Sequence, residues 1–306
     1  MTHIIIYALI IVFMPFLLGG IIFRVKSFWS GRQGRPITQL FHDFFKYMKK
    51  GYVISGTTGF VFFAAPAVSL LAVMAASLLV PLASGRAVVE FEGAFIIFAY
   101  LMAFSKFVFV ISALETGSSF EGMGASREAT LTAFLEPAFF LIIGTAAAVS
   151  GKGSFSALSS FTARGTGAGW VMALLAASGF LIMLVTEGAR VPVDDPDTHL
   201  ELTMIHEVMA LDNSGPDMAL KSYTAYLKMT LISALFAYVL MPAGISDAVY
   251  AGVFLACMIL AAVLTGCVES LMARLRMTHV PQFVFFMFSL AVILFSAAFI
   301  FMKGAA

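Results

Sequence analysis

Long apolar runs decide what this chain can fold into. They fall at 4–23, 60–82, 94–114, 131–149, 169–186, 223–241, 248–266 and 281–302. A helix needs about 20 mostly apolar residues to cross the hydrocarbon core of a bilayer. Backbone groups in lipid must be satisfied within the chain, which favours helices over open strands. The runs therefore predict an all-α integral membrane protein, one membrane domain over 1–306 with about eight transmembrane helices. Composition agrees: 61% of the 306 residues are hydrophobic and 11% charged, against about a quarter charged in soluble domains. The first run ends in Phe23-Arg24-Val25-Lys26 with no small-residue cleavage site, and reads as a retained span. No internal repeat stands out, which argues against an inverted-repeat transporter.

Charge sets the expected orientation. The segments after the first, third, fifth and seventh runs hold Arg24, Lys26, Arg32, Arg35, Lys46, Lys49, Lys50, Arg127, Arg190, Lys221, Arg274 and Arg276. The other face has Arg86, Lys152, Arg164 and Lys303. Excess Lys and Arg marks the cytoplasmic side. In an inner (cytoplasmic) membrane both termini would then lie outside, and the loop 187–221 inside. That loop carries Glu187, Asp194, Asp195, Asp197, Glu201, Glu207, Asp212 and Asp217 against Arg190 and Lys221. Between the first two runs, 38–50 places Leu40, Phe41, Phe44, Phe45 and Met48 at helical spacing, with Gln39, His42, Asp43 and Lys46 opposite. This predicts an interfacial amphipathic helix, either an anchor or one wall of a cavity shared with a partner.

An ionisable group inside a span faces the protein interior and needs a partner. Lys106 lies near the middle of the third run, and Glu136, followed by Pro137, lies in the fourth. The expected pair is Lys106 with Glu136, as a proton-relay element or as a structural ion pair. Glu187 and Arg190 share a helical face if the helix continues, with Pro192 and Pro196 to stop it. Glu201 and Glu207 lie in a stretch that reads as able to re-enter helix. Clustered carboxylates with restricted hydration have raised, coupled proton affinities; the plainer reading is a solvated acidic loop. Glu269 beside Arg274 and Arg276 reads as a solvated helix-end charge. The Gly- and Ser-rich segment 115–128 fits neither a P-loop nor a dinucleotide fingerprint. Only two cysteines, Cys257 and Cys267, are present. An iron–sulfur or nickel–iron centre takes about four thiolates, so none is expected on this chain. His206-Glu207 lacks the second histidine of a zinc-protease helix, since Ala210 stands there. No basic tail suggests nucleic acid.

Four blocks carry a family resemblance. Gly31-Arg32-Gln33-Gly34-Arg35-Pro36 is followed by Gln39, Asp43 and Lys46. Leu114-Glu115-Thr116-Gly117-Ser118 is followed by Gly122-Met123-Gly124-Ala125-Ser126-Arg127-Glu128. Glu136-Pro137 comes next. The last is Glu187-x-x-Arg190-x-Pro192-x-Asp194, continuing through Thr198-His199-Leu200-Glu201-Leu202 to His206-Glu207. Together they resemble the membrane-anchor subunit of group 4 nickel–iron hydrogenases of the formate hydrogenlyase type, a family related to the heel subunit of respiratory complex I. The resemblance implies a non-catalytic, ion-coupling subunit of an oxidoreductase complex. Its soluble large and small hydrogenase partners would carry the iron–sulfur clusters and the nickel–iron centre, with antiporter-like membrane subunits alongside in the bilayer. It implies a relay through Lys106, Glu136, Glu187, Arg190, Asp194, Glu201 and Glu207. A docking face or chamber wall would take Arg32, Arg35, Gln39, Asp43, Lys46, Glu115, Arg127 and Asp212. The competing readings are a complex I heel subunit, with quinone in its chamber, and a freestanding ion transporter.

Overall fold

The computed structural model describes residues 2–82, 85–163, 167–195, 202–242 and 246–304. These form α1 (Thr2–Trp29), α2 (Gln39–Met48), α3 (Phe60–Ser77), α4 (Ala94–Glu115), α5 (Ser119–Ser150), α6 (Ser160–Ala163), α7 (Gly167–Glu187), α8 (Gly215–Val239), α9 (Asp247–Leu271) and α10 (Val280–Gly304), with short 3-10 turns at Phe155–Ser159 and Val208–Ala210. Every regular element among the described residues is helical. Seven of these helices are long and apolar enough to cross a membrane: α1, α3, α4, α5, α7, α9 and α10.

The remaining long helix, α8, owes its different composition to its place. It packs against α1, α2, α3, α7 and α9. Its buried residues include Thr224, Lys228, Thr230 and Ser233. A helix enclosed by other helices presents its polar groups to protein rather than to lipid, so it tolerates residues that a lipid-facing helix would not. The outer helices show the reverse. Phe104 and Phe107 on α4, Leu174 on α7 and Phe299 on α10 are exposed where hydrocarbon would cover them.

Three boundaries differ from the sequence reading. The fourth apolar run begins at 131, but α5 begins at Ser119, so most of the Gly- and Ser-rich segment is helical. Gly124 shows why glycine stands there. A Cβ on it would meet Val208 and come within 2.9 Å of the Ile205 carbonyl. The close approach seats the 205–209 segment against α5. The stretch around Glu207 does not re-enter an α-helix and forms a single 3-10 turn, Val208–Ala210. Finally, α7 stops at Glu187, before either proline. Ala189 turns to a positive φ of 51°, the Arg190 amide bonds back to the Val185 carbonyl at 3.0 Å, and the Ala189 amide bonds to Thr186 at 3.3 Å. That is the left-handed helix stop which glycine usually supplies.

The predicted amphipathic helix is α2. It has no buried residue and lies on α1 and α8 through aromatic edges: Phe41 on Phe16 at 5.5 Å, and Phe44 on Tyr223 at 5.8 Å between ring centroids.

Candidate functional site

The C-terminal parts of α4 and α7 and the N-terminal parts of α5 and α8 border a cavity of about 70 Å³ that opens partly to the outside. Six ionisable residues line it: Lys106, Glu128, Glu187, His206, Lys221 and Lys228. Its other walls include Phe109, Ala189, Met209, Thr224 and Ala225. Each helix supplies its charge where its buried face turns inward.

Lys106 of α4 is the first link in a row of alternating charge. Its ammonium is hydrogen-bonded to Glu187 at the end of α7, lies 3.9 Å from Glu128 and donates to Thr132 at 3.3 Å. Glu128 and Thr132 are one helical turn apart on α5, so one face of that helix meets the lysine twice. The second oxygen of Glu128 lies 3.1 Å from His206 Nε2. His206 Nδ1 lies 3.3 Å from Asp194. Asp194 faces Arg274 at 3.5 Å and also accepts the backbone amides of Asp195, Ile205 and His206 at 2.9, 3.1 and 3.0 Å. The row therefore runs from the interior of α4 to the segments 190–195 and 202–206.

The two surface-side members keep their charges by cooperation. Burial works against a charged His206, but Glu128 and Asp194 outweigh it by charge and hydrogen bonding and hold the imidazole up at about 10. Burial pushes the Asp194 carboxyl up, yet the His206 ring, with the amides of His206 and Ile205, brings it below its ordinary value.

A second cluster ties α1, α7 and α9 together. Arg190 lies 3.6 Å from Glu269, and Lys26 lies 3.3 Å from the other oxygen of the same carboxylate. The Arg190 guanidinium also rests over the rings of Phe23 and Tyr226, at 5.1 and 5.9 Å from their centroids. Glu269 is thus a buried, doubly paired anion and not a solvated helix-end charge.

The predicted relay residues separate under this geometry. Lys106, Glu187 and Asp194 lie in one connected row, and Arg190 sits in the neighbouring cluster. The expected Lys106–Glu136 pair is replaced by Lys106–Glu187. Glu136 is half-buried two turns further along α5 from Glu128 and is bonded to no described residue. Glu207 is half-buried among the charges around Lys221. Glu201 lies outside the described residues.

Of the expected docking residues, Arg32, Arg35 and Lys46 are exposed. Gln39 donates to Asp43 at 2.8 Å along α2. The others are turned inward. Glu115 accepts the Phe62 amide at 2.5 Å and so caps α3. Arg127 holds the carbonyls of Leu202 and Met204 at 2.7 and 2.8 Å. The Asp212 amide donates to buried Glu121 at 3.2 Å.

Four cavity residues were absent from the expected site: Glu128, His206, Lys221 and Lys228. Lys228 interrupts an apolar run as Lys106 does, and that signal was available. Glu128 precedes the fourth apolar run, in a segment weighed only against phosphate-binding fingerprints. Among the described residues, no group of three His, Cys, Asp or Glu side chains is placed to hold a metal.

Comparison with known proteins follows the same lines. The sequence profile of the family described as NADH dehydrogenase matches residues 2–300. Hydrogenase-4 component C of Escherichia coli (strain K12) is 28% identical over 293 residues, 93% of this chain and 91% of the relative. Formate hydrogenlyase subunit 4 of the same strain is 27% identical over 297 residues, 95% of this chain and 96% of the relative. A chain in the structure of the membrane-bound sulfane sulfur reductase, an archaeal respiratory membrane complex, superposes with a TM-score of 0.82 at 19% identity. The match covers 97% of this chain and all of that one, and shows a shared fold.

Proposed function

The chain belongs to the NADH dehydrogenase family, and on that premise we propose that it is the membrane-anchoring, ion-coupling subunit of a hydrogenase or formate hydrogenlyase-like complex. The relatives' names support the hydrogenase branch. In this reading the chain sits in the cytoplasmic membrane with both termini outside. A soluble arm with iron–sulfur clusters and a nickel–iron centre docks on the inner loops, and antiporter-like subunits lie alongside. The chain's own thiols are Cys257 and Cys267 on α9. They are too few for a cluster that takes about four.

One observation carries the proposal. The row Glu187–Lys106–Glu128–His206–Asp194–Arg274 joins a lysine inside a span to the segment that a docked partner would press on. Two arginines clamp that segment. Arg127 takes the carbonyls of Leu202 and Met204, and Arg274 takes Thr203 by its carbonyl and its hydroxyl. A displacement there moves His206 against Glu128 and alters which of the two carboxylates beside Lys106 holds the ammonium. Redox chemistry in the docked arm is in this way converted into a change of charge within the membrane.

The test is ion movement in inverted membrane vesicles that carry the intact complex. Glu187→Gln and Glu128→Gln are expected to leave the complex assembled and its redox turnover measurable. Substrate-driven ion uptake should fall by about 10²-fold, the usual scale for loss of a positioned proton-transfer group. Unchanged uptake in both variants would remove the relay from this chain.

A further inference from the structure

Of the six ionisable residues around the cavity, five have partners. Lys106 is bonded to Glu187, and Glu128 to His206. Lys221 donates to the His206 carbonyl at 2.8 Å and lies over the Phe109 ring. Lys228 differs. It is 8% exposed and lines the cavity, and its ammonium has no hydrogen bond or ion pair with any described residue. The nearest carboxylates that act on it, Glu187 and Glu128, are already bonded to Lys106 and His206. A buried ammonium with no directly bonded counter-charge is costly, and the cost falls away when an anion meets it.

The space suits such an anion. The space open to the centre of a water molecule is about 70 Å³, several times the roughly 10–15 Å³ that one water needs, and exceeds what a monatomic ion fills. Phe109, Met209, Ala189 and Ala225 give the remaining wall an apolar character. We infer that this cavity binds an anionic oxygen group, carboxylate or phosphate, on the Lys228 ammonium, with the rest of the ligand against the apolar wall. Lys221, two turns nearer the start of α8 but spent on the His206 carbonyl, steers the anion inward. The group is carried either by a free small anion or by the headgroup of an acidic lipid. The inference concerns occupancy of the cavity and stands whether or not the row of charges conducts ions.

The full chain in neutral maltoside micelles is titrated with inorganic phosphate in one arm and dioleoylphosphatidylglycerol in the other. The thermal unfolding midpoint is followed in both. A saturable rise is expected in at least one arm, and which arm responds identifies the source. Lys228→Met should weaken the apparent affinity by about tenfold or more, the worth of a lost charge-assisted hydrogen bond. Lys228→Arg should keep it within a few fold. Phosphorus NMR line broadening of the same two probes on the unsubstituted chain reads the site even if Lys228→Met fails to fold. Equal midpoint shifts in the parent and in Lys228→Met overturn the inference. So does the absence of both a saturable rise and line broadening with either probe.

Discussion

At the scale of single residues, the buried charges divide into those that hold the fold and those that answer to pH. Lys106 and Glu187 are each other's principal partner, and both are buried. Removing one leaves the other uncompensated. Lys106→Met is expected to cost roughly 3–5 kcal/mol, the scale for breaking a buried pair. Lys106→Met combined with Glu187→Gln should recover most of that loss. Denaturant unfolding in micelles across the double-mutant cycle measures the coupling; additive losses would contradict the pairing. His206 makes a different prediction. Its proton is held up to about 10, against 6.5 for an unperturbed histidine. Between those values the folded chain binds a proton that the unfolded chain has released, so stability falls as pH rises. The contribution is fully present below about 6.5 and gone above about 10. Asp194 acts in the opposite sense, because its carboxyl is depressed and its share is lost in acid. Midpoints recorded from neutral to alkaline pH should slope downward in the parent, and His206→Asn should flatten the slope.

At the scale of elements, helix ends carry energy that composition conceals. No side chain of α3's own caps its N-terminus; the carboxylate of Glu115 comes across from the end of α4. Gly59 is needed beside it, because a Cβ there would overlap Glu115. An anion at a helix N-terminus satisfies a free amide and meets the positive end of the dipole. Glu115→Ala should therefore cost about 1 kcal/mol, with a smaller loss for Glu115→Gln, both read as unfolding midpoints. The stop of α7 makes the opposite prediction. Ala189 occupies a left-handed conformation, which costs a residue with a Cβ about 1 kcal/mol. Ala189→Gly should raise stability by about that amount, and a drop in midpoint would tell against the cap. Both features explain what the sequence could not disclose. Apolar runs announce spans because lipid forbids anything else, and each of the eight runs is helical over most of its length, with 60–82 running on past the end of α3 at Ser77. Cap partners come from elsewhere in the chain, so Glu115 looked like a docking residue until α3 was set beside it. The same holds for Lys106. Its need for a carboxylate was legible, but the choice between Glu136 and Glu187 was made by helix packing. Lys228 breaks its apolar run as Lys106 does, but the Tyr, Thr and Ser around it, which α8 can carry only because it is enclosed, make that break less conspicuous.

At the scale of the whole molecule, function rests on two surfaces with different duties. The helix bundle faces lipid with Phe, Leu and Ile, while Arg32, Arg35 and Lys46 remain exposed around α2 and the turn before it. These cations make no ion pair among the described residues, except that Arg35 rests over the Phe23 ring at 5.4 Å. They support nothing in the core, so their loss should leave the fold intact. If this face holds the soluble arm, reversing its charge should free that arm. Arg32→Glu combined with Lys46→Glu should leave the chain at parental abundance in the membrane and with a parental unfolding midpoint, since exposed substitutions usually lie within about 0.5 kcal/mol. The amount of soluble redox subunit that copurifies with a tag on this chain should fall several-fold and should fall further as salt is raised. Charge-neutral substitutions at the same positions should give an intermediate loss, because contact charges act chiefly on association rate. Full retention of the arm after reversal would place docking elsewhere. The next surface to test would then be the 202–206 segment, which Arg127 and Arg274 clamp against the cavity.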